Sequence, residues 1–352
     1  MPRTEPFAAE LLRWFDIHGR RDLPWQSPRT PYRVWLSEIM LQQTQVATVV
    51  PYFLRFVEKF ASTAELAAAP VDDVLASWSG LGYYSRARNL HKAATICVEQ
   101  HHADLPKTFD RLAALPGIGR STAGAILAQA HGMKFPILDG NVKRVLARFH
   151  GVRGWSGSTA AQNQLWKFAE SHTPDSRMAD YTQAIMDLGA TVCTRTKPRC
   201  TECPLSDDCI ALHDGLTATL PESKPRRALP TRTTMMLILR DASGRLLLER
   251  RPPVGVWAEL WSLPEADDIE SAKLGAAFVH AHDDIVFRHL QPFTHTFSHY
   301  RLDVTPLAFD VCFKAHIADD SNRRWVSPTE AAQLGLPAPV RKLIENLDKD
   351  IP

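Results

Sequence analysis

Apolar positions recur at helical spacing through the first two hundred residues. Between residues 5 and 20, Phe7, Leu11, Leu12 and Phe15 share one face of a 3.6-residue period. Comparable spacing predicts helices over 32–46, 63–69, 71–78, 85–100 and 120–131. Turn residues separate them: Ser79-Gly80, Leu105-Pro106, Pro116-Gly117 and Gly132. Period-two alternation is scarce there. From 213 to 232 periodicity lapses, and Pro221, Pro225 and Pro230 alternate with Lys224, Arg226 and Arg227, which predicts a linker. Beyond it alternation takes over. Strands are predicted over 233–240, 245–250, 293–297, 300–309 and 323–326, with a hairpin turn at 241–244. Helices are expected at 270–282 and 340–347. The pattern is that of a multidomain chain, an all-α domain followed by an α+β domain, with boundaries expected at 1–212, 213–232 and 233–352.

Composition adds bounds. A chain of 352 residues has room for two or three domains and for a core that needs no disulfide staples. With 45% hydrophobic and 23% charged residues, disorder, collagen and coiled coil are excluded as the main architecture. The net charge of +2 says little about partners, but it is unevenly spread. Residues 1–232 hold 28 basic and 22 acidic residues, and residues 233–352 hold 13 and 17. Within the first part, residues 101–200 hold 13 basic against 7 acidic. Phosphate affinity follows such a local cation array rather than the sum over the chain. No apolar stretch has the length of a membrane span, and residues 1–13 lack the form of a signal peptide. The expectation is a cytoplasmic protein with no membrane partner, in a bacterium at the nucleoid.

Four of the six cysteines fall within seventeen residues: Cys193, Cys200, Cys203 and Cys209. In a cytosolic chain such clustering points to metal ligation rather than disulfides. Four thiolates can hold one zinc ion or one [4Fe–4S] cube. Zinc ribbons usually use two Cys-x-x-Cys pairs, and this run has one, so the uneven spacing suits a cluster wrapped by a single loop. Cys97 and Cys312 stand apart and read as small core hydrophobes.

The stretch 115–124, Leu-Pro-Gly-Ile-Gly-Arg-Ser-Thr-Ala-Gly, joins two helices through a tight turn. Gly117 and Gly119 can take positive φ there, leaving amides bare beside a helix N-terminus, a ready phosphate site. Asp139 stands directly before a helix beginning near Gly140, where it reads as an ordinary N-cap; a capping carboxylate is also held rigidly and stays ionised. Glu38 lies among Trp35, Leu36, Ile39, Met40 and Leu41. A solvated helix face is the ordinary place for a glutamate. Burial would instead raise its pKa and make it a general acid.

Together, the helix–hairpin–helix, the Gly/Pro-rich turn, Asp139 and the four-cysteine loop resemble the helix–hairpin–helix DNA glycosylase superfamily, in its adenine DNA glycosylase branch of the MutY type. The resemblance covers essentially the whole chain. It implies a six-helix barrel and an iron–sulfur lobe with one [4Fe–4S] cluster, followed by a Nudix-like domain. It implies an enzyme that flips adenine out of double-stranded DNA and hydrolyses its glycosidic bond, acting as a monomer on adenine opposite 8-oxoguanine or guanine. By resemblance, Glu38 protonates the adenine, Asp139 faces the sugar and Asn141 positions sugar or water. Gln43 and Tyr83 match residues that wedge near the opposite base, and Lys143 matches a lysine beside the active site. Phe297, Ser298 and His299 match the loop that recognises 8-oxoguanine. Ser121 stands where some members carry Tyr, and where the endonuclease III branch carries the Lys nucleophile of a lyase. Strong lyase activity is therefore not expected. Three rival readings remain: an endonuclease III-like glycosylase/lyase on oxidised pyrimidines, a Nudix nucleotide hydrolase, and a non-catalytic iron–sulfur DNA-binding protein. The Nudix reading lacks its acidic box between Gly255 and His282.

Overall fold

The computed structural model describes residues 4–224, 228–279, 286–311 and 322–350. Contacts divide the chain into two compact units, residues 1–68 with 89–226, and residues 69–88 with 227–352. Segment 69–88, counted with the helical part on sequence grounds, thus packs with the C-terminal residues. Long-range polar bonds hold it there: Arg250 pairs with Asp72 at 3.0 Å, and the Tyr84 hydroxyl donates to the Leu336 carbonyl at 2.8 Å. Local periodicity carries no trace of such bonds.

The first unit is helical. It holds α1 (Thr4–His18), α2 (Pro31–Leu41), α3 (Val46–Lys59) and α4 (Thr63–Ala68). After α5 (Val71–Ser77) of the second unit, α6 (Ser85–Gln100) crosses from one unit into the other. Then come α7 (Phe109–Ala113), α8 (Arg120–His131), α9 (Gly140–Phe149), α10 (Thr159–His172) and α11 (Met178–Asp187). A π-helical turn, Leu188–Val192, precedes the cysteine loop, and α12 (Ile210–His213) follows it. Leu11 and Phe15 of α1 pack with Ala128 of α8, Leu146 of α9, Leu165 of α10 and Ile185 of α11 in one core. The carboxylate of buried Asp187 accepts the Arg20 amide at 2.8 Å and its guanidinium at 2.6 Å, tying the chain beyond α1 to the end of α11.

The predicted helix over 32–46 is shorter than expected. It ends at Leu41, and Gln43 turns into the left-handed region at φ +59. Glutamine is a good helix former, so nothing in Gln42-Gln43-Thr44-Gln45 marks the stop.

The second unit is a mixed sheet between helices. Its strands are β1 (Thr231–Asp241), β2 (Leu246–Arg250), β3 (Trp261–Ser262), β4 (Glu265–Ala266), β5 (Phe287–His289), β6 (Phe293–Thr296), β7 (Arg301–Val311) and β8 (Arg323–Val326). The order is β3-β2-β1-β7-β5, with β1 and β7 parallel and paired from Thr231↔Arg301 to Asp241↔Val311. Alternation splits the sheet's two faces. Met236 and Ile238 face the core of α14 (Pro328–Ala332) and α15 (Ala338–Asp350), whereas Leu237 and Leu239 face Ala272 and Ala276 of α13 (Ile269–Val279). The helix predicted over 270–282 has its last residues, and Cys312 its place, outside the described residues. Among the described residues no helix is long and apolar enough to cross a membrane.

Candidate active site

Helix α2 buries Val34, Trp35, Leu36, Ile39 and Met40, and Glu38 among them is half-buried. The Glu38 carboxylate accepts one hydrogen bond, from buried Gln129 of α8 at 2.9 Å. Burial, and then the charge of nearby Asp139, push its pKa up to about 7; the Gln129 amide pulls slightly the other way. The solvated-face alternative for Glu38 does not describe this setting. Gln129 was not singled out in the sequence. Its signal is a lone amide in the apolar run Ala-Ile-Leu-Ala-Gln-Ala of residues 125–130.

Asp139 is the N-cap of α9, its Oδ1 accepting the Val142 amide at 2.7 Å. Burial raises its pKa as well, but the Val142 amide, the Arg144 charge and Asn141 all favour the anion. Asn141 Nδ2 donates to Asp139 Oδ2 at 3.4 Å, and Arg144 Nη2 donates to Asn141 Oδ1 at 2.8 Å. The charge of Asp139 lifts Glu38, whereas Val142, Arg144 and Asn141 all favour the Asp139 anion against its burial. The site thus holds two carboxylates of different proton affinity.

The chain on either side of Asp139 lies against two glycines. A Cβ on Gly124 of α8 would stand 2.6 Å from the Pro136 carbonyl oxygen, and one on Gly189 would stand 2.6 Å from Asn141 Cβ. Both must stay bare for the segment to sit where it does. The Ser121 hydroxyl accepts the Leu138 amide at 2.9 Å, fixing the residue before Asp139. That bond gives Ser121 a positioning part as well as its place in the hairpin. Of the two hairpin glycines, only Gly117 is left-handed, at φ +80. Gly119, expected to share that freedom, is extended at φ −92 because it caps α8. A Cβ there would meet nothing within 4 Å, so the α8 N-terminus is open to an approaching anion. Lys143 follows on α9, half-buried.

Helix α9 also reaches the cysteine loop. Arg144 Nε donates to the Cys193 carbonyl at 2.7 Å. Arg148, 2% exposed, donates to Cys193 Sγ at 3.3 Å and to the Thr194 carbonyl at 2.7 Å. All four cysteines line one cavity. Burial, and then the charges of the other three, push the Cys203 thiol up to about 12. Cys203 and Cys209, raised by burial and then by the charges of neighbouring cysteines, call for a cationic group beside them. Among the described residues no group of three or more His, Cys, Asp or Glu is drawn in tightly enough for a single metal ion. A cube, which spreads its thiolates over four iron atoms, suits the donor set better than zinc.

The remaining candidates are exposed, except half-buried Phe297. Gln43 stands on the left-handed turn between α2 and α3. In the second unit Tyr83, 51% exposed and left-handed at φ 49, follows left-handed Gly80 and Gly82. Arg86 lies over its ring at 5.5 Å and donates to the Leu81 and Gly82 carbonyls at 3.0 Å. Phe297, Ser298 and His299 form the β6–β7 turn, closed by the Phe297 amide on the Tyr300 carbonyl at 2.8 Å. Phe297 is half-buried, and Ser298 and His299 are exposed. On the Nudix-like fold, α13 carries Glu270 as its one carboxylate, too few for a magnesium-binding box.

Three families of sequence match the chain in turn. Residues 36–171 match the HhH-GPD superfamily of base excision DNA repair proteins, residues 193–209 the iron-sulfur binding domain of endonuclease III, and residues 234–346 the NUDIX domain. An adenine DNA glycosylase of Buchnera aphidicola subsp. Acyrthosiphon pisum is 36% identical over 346 residues, covering 98% of each chain. The human adenine DNA glycosylase is 34% identical over 361 residues, covering 84% of this chain and 65% of its own. Among solved structures, a thermostable thymine-DNA glycosylase superposes with a TM-score of 0.55 at 26% identity, covering 60% of this chain and 97% of that one.

Proposed function

The chain belongs to the adenine DNA glycosylase family, and from that premise we propose that it removes adenine paired with 8-oxoguanine or guanine by hydrolysis alone. That it is a DNA glycosylase of base excision repair, carrying one [4Fe–4S] cluster, follows from the family. The finer reading rests above all on the unequal carboxylates. Glu38, lifted to about 7, keeps a proton to give to the adenine at N7. Adenine leaves poorly as an anion and well once protonated. Its departure leaves positive charge at C1′ and O4′ of the sugar, and the Asp139 anion, fixed by its cap, answers that charge. Asn141, bonded to both Asp139 and Arg144, holds the carboxylate in register and offers a polar group to sugar or water.

Around the chemistry, the α8 N-terminus with Gly117, Gly119 and Ser121 takes backbone phosphate, assisted by Lys143. Gln43 and Tyr83 fill the space left when the base is flipped out, their exposed strained positions suiting a wedge. Phe297, Ser298 and His299 read the base opposite. 8-Oxoguanine carries an N7–H donor where guanine has an acceptor, and the Ser298 hydroxyl is an acceptor. Cys193, Cys200, Cys203 and Cys209 would hold the cluster, which braces the loop that Arg144 and Arg148 grip. Ser121 offers no amine, so no Schiff base forms there and strand cleavage is not expected. The protein acts as a monomer.

Duplexes carrying A opposite 8-oxoguanine, G, C or T test this reading, with and without alkali after incubation. Breaks at A opposite 8-oxoguanine and G, and only after alkali, are expected. Alkali-independent cleavage, or cleavage confined to thymine glycol duplexes, would sink it.

A further inference from the structure

The loop between β2 and β3 does something the sequence gives no hint of. It is closed at its base, the Arg251 amide bonding the Leu260 carbonyl at 2.8 Å and the Glu259 amide the Pro252 carbonyl at 3.2 Å. Two of its non-glycine residues are left-handed, Trp257 at φ 58 and Glu259 at φ 59. For a side chain as large as tryptophan that conformation is uncommon and persists only where the surroundings over-determine it. Here they do so from two sides. The Trp257 ring meets Phe297 at 5.1 Å between centroids, edge to face, and His295 at 5.5 Å. From the other side Arg88 donates to the Ala258 carbonyl at 2.6 Å and faces the Glu259 carboxylate at 3.5 Å. Arg88 lies on the first turn of α6, five residues after Tyr83, and all of these groups belong to the second unit.

We propose that Trp257 is a specificity-determining positioning residue. Clamped from behind by Arg88, it holds Phe297 and the turn that follows in the conformation that reads the base opposite adenine. The inference rests on the reading of Phe297, Ser298 and His299 given above. Phe297 sits in an aromatic wall of His295 at 4.6 Å, Tyr300 at 4.7 Å and Trp257, and Trp257 is the member that the strained loop brings to it from outside the turn's own strands. Removing that member leaves the turn in place but lets its tip wander. Discrimination then falls more than the chemistry.

The test uses the full-length, cluster-loaded protein and single-turnover rates on A:8-oxoguanine and A:G duplexes. Trp257→Ala should lower the ratio of the two rates by roughly three- to ten-fold, the range an edge-on aromatic contact supports. Trp257→Phe should restore most of it. Phe297→Ala should lower the ratio too, and the double variant should fall no further than Phe297→Ala alone, because both act through one contact. Arg88→Gln, which leaves the ring intact, should shift the ratio in the same direction. It carries the test should Trp257→Ala not fold, and an unchanged ratio in folded Arg88→Gln would overturn the proposal. If Phe297→Ala lowers the ratio and folded Trp257→Ala leaves it unchanged, the positioning role is wrong while the reading loop stands. If Phe297→Ala itself leaves the ratio unchanged, the reading loop fails and this inference falls with it.

Discussion

The carboxylate pair and the β6–β7 turn solve opposite problems. Glu38 and Asp139 are partly withdrawn from water, and each is held by neighbours: Gln129 for one, and Val142 and Asn141, with Arg144 behind Asn141, for the other. Ser298 and His299 face solvent, and the order of their turn comes from the apolar wall behind Phe297. Acid–base chemistry needs a set protonation state, which only burial and fixed partners give. Reading a base needs access, so on the proposed function the specificity of the turn would be built from support behind it rather than enclosure around it. Damage to the first region should therefore cost rate on every substrate, and damage to the second should cost discrimination.

The sharpest way to break the contrast is at the carboxylates. Glu38→Gln should reduce adenine release on both A:8-oxoguanine and A:G duplexes by on the order of 10²–10⁴-fold, the worth of a general acid, while duplex binding persists. The same change should stabilise the fold at pH 8. The Glu38 pKa is raised from 4.5 to about 7, so the native state holds more protons than the unfolded state between those values. Its stability therefore falls as pH rises through that window, and above it burying the charge costs on the order of 3 kcal/mol. A neutral amide avoids that cost. A melting temperature at pH 8 lower than wild type would argue against burial of an ionisable acid.

A smaller effect should follow Gly189→Ala. Its new methyl would meet Asn141 Cβ at 2.6 Å, and the clash reaches Asp139 through Asn141. Misplacement of a reacting group on that scale costs about 10²-fold. The loss should be equal on the two duplexes, with the visible absorbance of the cluster retained. A changed ratio between substrates would blur the division between regions. Smaller still, Ser121→Ala leaves the buried Leu138 amide without its acceptor, worth roughly 1 kcal/mol and so about five-fold in rate. Single-turnover rates on both duplexes read this directly, and no change would mean the hydroxyl does not fix the Asp139 segment.

Much of this was legible in the chain. The helical and alternating periods predict the change of architecture, and Asp139 before Gly140 reads as the cap it is. The four cysteines and the Gly-x-Gly turn can be recognised by spacing alone. What escaped is non-local or conformational. Gln129 is one amide in an apolar helix, and its partner lies ninety-one residues away in sequence. Arg144 joins Asn141 to Cys193 through a backbone carbonyl that no motif records. The left-handed turns at Gln43 and Trp257 occur at residues that ordinarily avoid them, so the sequence offers neither glycine nor asparagine as a mark. Segment 69–88 reads as helix whichever unit it packs with; bonds to distant partners, among them those of Asp72, Ser79, Tyr84 and Arg88, decide the matter.

The unequal carboxylates are tested most directly by the pH dependence of single-turnover adenine release from an A:8-oxoguanine duplex. With Glu38 titrating near 7, release should be fast below that value and decline through it, falling toward tenfold per pH unit above as the acid loses its proton. A rate that stays level from pH 6 to about 9 would contradict Glu38 as the proton donor.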